Sequence, residues 1–154
     1  MNALAITFVV FGYQLPAGGP AHAHTWLVAT KGSETVTISW GPVGAVNLLG
    51  LAEPGRNMSH EETLRWAKRF GARVVQFGPY PMSEKLWLRA KMQKARLDSG
   101  VVAYKAVALV FGSRRANCIV AVAEIGGPFA GGLDYGHEAS RRVALHLLSY
   151  DSRR

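Results

Sequence analysis

The chain has 154 residues, and 49% of them are apolar, which is enough for a buried core and excludes a globally disordered chain. Lysine and arginine number 18 against 10 acids, so the formal net charge is +8. That charge favours anionic partners such as nucleic acid, acidic lipid or a wall polymer without choosing among them, and no recognised nucleic-acid-binding motif accompanies it. A single cysteine, Cys118, excludes an internal disulfide and with it a disulfide-stapled secreted scaffold.

The N-terminal run 1–13 is apolar, and Ala21-His22-Ala23 has the small-residue look of a signal cleavage site. No basic residue precedes Lys31, as a signal peptide would require, and the run is too short for a membrane span. Residues 3–12, with Leu4, Ile6, Phe8 and Val10, read as a buried first strand. Residues 14–21 form a Gly/Pro-rich loop, and 24–30, with Trp26 and Val28, a second strand. Lys31-Gly32-Ser33 marks a hairpin turn into a third strand, 35–40. There Thr35, Thr37 and Ser39 share one face, and Val36, Ile38 and Trp40 the other.

Residues 41–57 are glycine-rich without clear periodicity. Ser59-His60-Glu61-Glu62 is a capping box that opens a helix to about Phe70, stopped by Gly71, with Leu64, Ala67 and Phe70 as its buried stripe and Trp66 beside them. Residues 73–77 make a short strand that Pro79 and Pro81 should end. Ser83 caps a second helix, 84–98, whose Lys85, Arg89, Lys91, Lys94 and Arg96 form a basic face: solvated, or in contact with phosphates. Residues 101–111 are a further apolar strand region, 117–125 an apolar run of either type, 126–132 a glycine-rich loop, and 137–149 a last helix with Ala139, Val143 and Leu147 inward. This order predicts an α+β domain with a largely antiparallel sheet.

Three constellations carry chemistry. Asn117 is a good N-cap, which would put Cys118 in the first turn of a buried helix, where unpaired amides stabilise a thiolate and Arg114 and Arg115 lie just upstream. The alternative is an inert, buried cysteine on a strand. His22 and His24 are two apart, so on a strand both imidazoles face one way. They serve either as a metal pair needing a third ligand, from among His60, His137 and Glu138, or with His24 alone as the base of a nucleophile. His137 opens the last helix beside Glu138 and is a third candidate base. His60 is expected to face solvent, His146 to be structural, and the four tryptophans to line core or cleft.

A His24-Thr25-Trp26 strand followed much later by Asn117-Cys118 opening a short apolar helix resembles the circularly permuted papain-like proteins, which include permuted NlpC-type peptidases and the lecithin:retinol acyltransferase-like enzymes. The resemblance spans residues 3–125, and its specific positions are His24 and Asn117-Cys118. It implies a single papain-like domain over residues 1–154, with a small antiparallel sheet packed against helices. It makes Cys118 the nucleophile, His24 its base, Asn117 a supporting cap, and Thr37 or Ser39 the polar residue that orients the histidine. Where the acyltransferase branch carries an acidic residue and a histidine after the cysteine, this chain has Ile119 and Val120. The activity so implied is hydrolysis or transfer of an amide or ester, in a peptide, lipid or cell-wall fragment, through a thioester, with no cofactor. The expected compartment is the cytoplasm, or outside it if residues 1–23 are an atypical signal segment. A His22/His24 metal enzyme and a non-catalytic basic module that binds nucleic acid or another polyanion are the competing readings.

Overall fold

The computed structural model describes residues 4–18, 23–43, 52–105, 115–131 and 135–152, the side chains of 115 and 116 excepted. The protein is α+β, with two small sheets and, among the described residues, four α-helices. The first sheet has the order β3-β2-β1-β6, from β1 (Ile6–Gln14), β2 (Ala23–Lys31), β3 (Glu34–Ile38) and β6 (Arg73–Pro81). All three pairings are antiparallel. The apolar N-terminal run is therefore a central strand, hydrogen-bonded on both sides. Gly32 turns the chain between β2 and β3 with a φ of 59°, a left-handed conformation that glycine adopts without steric cost.

Strand β6 runs past Phe77, where Pro79 and Pro81 were expected to end it. It lies at the sheet edge, so the proline nitrogens face no further strand, and its register against β1 shifts between the Val10 and Phe8 pairs.

Successive residues of β1 and β2 point to opposite faces, and the two faces meet different partners. On one, Phe8, Val10, Leu27 and Ala29 join the core under α3 (Cys118–Ala123) and α4 (Gly136–Ser152). The closest approach is at Gly12, where a Cβ would stand 2.1 Å from Ser140 Oγ. Ser140 in turn meets Thr25 Oγ1 at 2.7 Å, binding α4 to β2. On the other face, Phe11 and Trp26 meet His60, the first residue of α1 (His60–Arg69). Ser59 caps α1 by accepting the Glu62 amide, as the capping box predicts, while the Glu62 carboxylate also takes a two-pronged contact from Arg56. The buried stripe of α1 is Thr63 and Ala67; Leu64 is half-buried, and Trp66 and Phe70 are exposed and stack on each other. The expected stripe was thus rotated by one residue, because a polar threonine takes a core position.

The second sheet, of order β4-β5-β7-β8, consists of β4 (Trp40–Pro42), β5 (Glu53–Asn57), β7 (Ala103–Tyr104) and β8 (Arg115–Ala116). The expected single strand 35–40 is split at Ser39, where the chain leaves the first sheet and enters the second. Strand β5 escaped the sequence reading because Glu-Pro-Gly-Arg-Asn has neither alternation nor β-formers. Its Gly55 lies under the Trp40 ring, where a Cβ would come within 2.1 Å. The parallel pairing of β7 with β8 sets Tyr104 beside Ala116 and delivers the chain directly to Asn117. Of the expected strand 101–111, residues 106–110 lie outside the described residues, as does 111. The last helix begins one residue earlier than expected and ends three residues later.

Helix α2 (Glu84–Asp98), capped by Ser83 as predicted, holds the far end of α3. Gln93 Nε2 donates to Ala121 O at 2.8 Å, and Arg89 donates to the carbonyls of Glu124 and Ile125. These carbonyls lie at the C-terminal end of α3 and the turn that follows it, where a helix leaves acceptors for outside donors; Glu124 O also takes the Gly127 amide at 3.1 Å. Much of the basic face is spent within the protein. Arg96 pairs with Glu124, Lys91 with Glu34, Lys94 with Asp98, and Lys85 lies over the Tyr150 ring. Among the described residues, no helix is long and apolar enough to cross a membrane. Gln93→Leu is expected to leave the Ala121 carbonyl buried without this donor and to cost about 1–3 kcal/mol, read as a lower midpoint in urea denaturation.

Candidate active site

Asn117 and Cys118 stand where the sequence predicts, and the apolar run that follows is helix, not strand. Asn117 has an extended backbone, its Oδ1 accepts the Val120 amide at 2.9 Å, and its carbonyl accepts the Ala121 amide at 3.0 Å. Ile119 to Ala123 are all buried, so this helix is anchored by packing on every side. Cys118, its first residue, keeps partial exposure. The amides of Thr25, Ile119 and Cys118 itself face the sulfur and pull its pKa down, but burial of the sulfur outweighs them and the thiol is pushed up overall. The sequence pointed the other way, to an acidified thiol. A helix of two turns supplies few free amides, and they compete here with a large desolvation cost. The side chains of Arg114 and Arg115, expected to help, lie outside the described residues.

Thr25 follows His24 on β2, so the sulfur lies against the backbone next to the histidine. The His24 ring is 7% exposed, and burial lowers its pKa from 6.5 to about 4. At neutral pH it is an uncharged imidazole. Its Nε2 lies 2.8 Å from Ser39 Oγ. Of the two residues proposed to orient the histidine, Ser39 makes the contact. Thr37 pairs in register with Val28, four residues along β2 from His24, and is not brought to the ring.

Ser39 is held from three directions. Its amide donates to Asn57 Oδ1 at 2.7 Å, and Asn57 Nδ2 donates to Thr37 O at 2.9 Å, so one asparagine clamps the bend between the sheets. Its hydroxyl lies 2.7 Å from Thr63 Oγ1, which donates to Ser59 O at 2.8 Å. Ser39 and Thr63 are fully buried. Asn57 and Thr63 carry no sequence signal of this role, since both reach the site from the second sheet and α1.

The histidine packs against two aromatic rings. Tyr13 lies directly across the β1–β2 pair, with ring centroids 5.5 Å apart, and Trp26 stacks 5.7 Å from the histidine and 5.9 Å from Tyr13, so the three rings form one cluster. Burial, and secondarily the charge of Cys118, pushes the Tyr13 phenol up to about 12. Tyr13 therefore senses the sulfur while touching the His24 ring. Tyr104 is raised as well, by burial first and by Cys118 second, in keeping with its pairing next to Ala116. Neither tyrosine was singled out in the sequence; the hairpin register alone could have placed Tyr13 opposite His24.

The remaining histidines are engaged elsewhere. His60, expected in solvent, accepts from Trp26 Nε1 through Nδ1 at 3.0 Å. His137 Nε2 bonds Arg73 O at 3.1 Å, and His146 Nε2 bonds Gly127 O at 3.0 Å. Glu138 pairs with Arg141 and Arg142. The third ligands considered for a metal pair are thus not assembled around His24, and no group of three His, Cys, Asp or Glu suited to a metal occurs among the described residues. His22 lies outside them.

No protein-family model, curated protein or solved structure matches the chain, so the reading of the site rests on its geometry.

The His24 environment has a consequence for stability. Its folded pKa is depressed, so below 6.5 the unfolded chain binds the proton more readily, and stability falls with pH until about 4. The fall from this one group corresponds to about 3 kcal/mol at most. Denaturation midpoints of the wild type and His24→Gln, measured from pH 7 to 4, should show a steeper loss in the wild type; parallel curves would contradict a buried, neutral His24.

Proposed function

We propose that this protein is a cysteine-dependent hydrolase or acyltransferase that acts on an amide or ester through a thioester on Cys118. The observation that carries the reading is the His24–Ser39 contact of 2.8 Å, made on the strand whose next amide, that of Thr25, faces the Cys118 sulfur. A histidine that is buried, neutral and hydrogen-bonded through one ring nitrogen has the other available as a base, and the Cys118 sulfur, against the next amide of the same strand, is the nucleophile.

The cycle follows from that pairing. The imidazole takes the thiol proton as sulfur attacks the carbonyl carbon. The negative charge that develops on the carbonyl oxygen is held by the backbone amide of Cys118 at the start of α3. Collapse expels the amine or alcohol, which leaves with the proton carried by His24, and the acyl group remains as a thioester. Water or a second acceptor then attacks, giving its proton to His24; the thiol leaves with that proton, and the resting state returns. Because the resting pair is uncharged, proton transfer accompanies attack, and no preformed thiolate is needed. The scheme requires no cofactor. A papain-like architecture, with the histidine strand preceding the cysteine helix, is the fold this reading implies. The Tyr13 and Trp26 rings against His24 favour apolar or aromatic groups near the reacting carbonyl.

Incubation with p-nitrophenyl esters is expected to leave one acyl group per chain, located on Cys118 by peptide mass spectrometry and released by hydroxylamine. Cys118→Ala should abolish the adduct, and His24→Ala should slow its formation by roughly 100-fold. Acylation at other residues only, or a rate indifferent to His24, would sink the proposal.

A further inference from the structure

We propose that Thr63 is a positioning residue that sets the tautomer of His24, holding the ring proton on Nε2 and leaving the lone pair on Nδ1. The argument is a count of protons along a buried chain of four groups. Thr63 Oγ1 has one proton, and its contact with Ser59 O, at 2.8 Å, is to a carbonyl that can only accept, so that proton is spent there. The contact between Thr63 and Ser39, at 2.7 Å, must then be donated by the Ser39 hydroxyl. Ser39 has no second hydroxyl proton, so its contact with His24 Nε2, at 2.8 Å, must be donated by the ring N–H. A neutral imidazole carries one ring proton, and the chain assigns it to Nε2.

The starting point of the relay is rigid. Ser59 is the N-cap of α1, and its carbonyl also accepts the Thr63 amide at 3.0 Å, the first helical bond. Ser39 and Thr63 are fully buried, and an unmatched hydroxyl there would be costly, so the order of donors is enforced. Protonation of His24 on Nδ1 leaves the Nε2 bond intact, because both nitrogens of an imidazolium donate. One ring nitrogen is thus anchored through both halves of a proton-transfer cycle while the other exchanges. The tautomer does not depend on catalysis; only its chemical consequence rests on the thiol-enzyme reading.

Nitrogen-15 NMR of the histidine rings at pH 7 tests this. The wild type is expected to show His24 with Nε2 protonated and Nδ1 bare. Thr63→Val keeps the shape and removes the relay oxygen. Ser39 then turns its proton toward the ring, and the Nδ1–H tautomer should become the major form. Thr63→Ser should restore the wild-type tautomer, which a merely structural role would not predict. Acylation of Cys118 by the same nitrophenyl esters should fall about tenfold or more in Thr63→Val and recover in Thr63→Ser. If Thr63→Val does not fold, Thr63→Ala removes the same oxygen while Ser39 stays in place, and the same shift toward the Nδ1–H tautomer is expected. A wild type with the proton on Nδ1, or a Thr63→Val protein with the wild-type tautomer, would overturn the inference. A tautomer that switches as described in a protein whose Cys118 never acylates would uphold it and remove the enzyme reading alone.

Discussion

The contact between His24 and Ser39 is the interaction on which the rest of the site depends, because it ties the histidine to the bend where the chain passes from the first sheet to the second. His24 belongs to β2 in the first sheet, and Ser39 is the residue at which the chain leaves that sheet for the second. Asn57 fixes the bend from the second sheet, and Thr63 fixes the hydroxyl from α1. The β7–β8 pair of the second sheet then carries the chain into Asn117 and Cys118. The geometry around the histidine and the position of the cysteine are thus consequences of one junction. Displacing Ser39 would disturb both.

Burial sets the electrical character of the pair. A charged dyad would need solvent or several compensating donors, and the sulfur has three amides while the imidazole has one hydroxyl. Desolvation therefore lowers the histidine and raises the thiol, so the two groups rest uncharged. The polar groups drawn into this region are paired: among the described residues, no buried side-chain nitrogen or oxygen lacks a partner. Such completeness costs sequence freedom. Ser39, Asn57, Thr63, Thr25 and Ser140 each satisfy a neighbour, and replacing any one with an apolar residue strands another.

What could be read from the sequence was local. Asn117 as a cap, the Ser59 and Ser83 caps, and the β2–β3 hairpin depend on residues within a few positions of one another, and all appear in the structure. The choice between Thr37 and Ser39 could not be made from alternation, since residues two apart on a strand share a face. The bend at Ser39 decides it, and that bend comes from Asn57, 18 residues away. Thr63 lies outside the apolar stripe that the periodicity marks, and its core position shifted the buried stripe and left Trp66 and Phe70 outside. The continuation of β6 through two prolines follows from its place at a sheet edge, which local sequence does not encode. The sign of the thiol shift was misjudged for a related reason: the helix start is visible in the sequence, whereas the depth of the sulfur is not.

The most direct test of Cys118 and His24 as one unit is the pH dependence of Cys118 alkylation by iodoacetamide, in the wild type and in His24→Ala. If the imidazole accepts the thiol proton, the wild-type rate rises as His24 loses its own proton, near 4, and stays level through neutrality. The His24→Ala rate should instead be low at neutral pH and rise only in or above the ordinary thiol range of about 8.5. Superimposable profiles, both rising only in that upper range, would show that the sulfur does not use the histidine and would contradict the account.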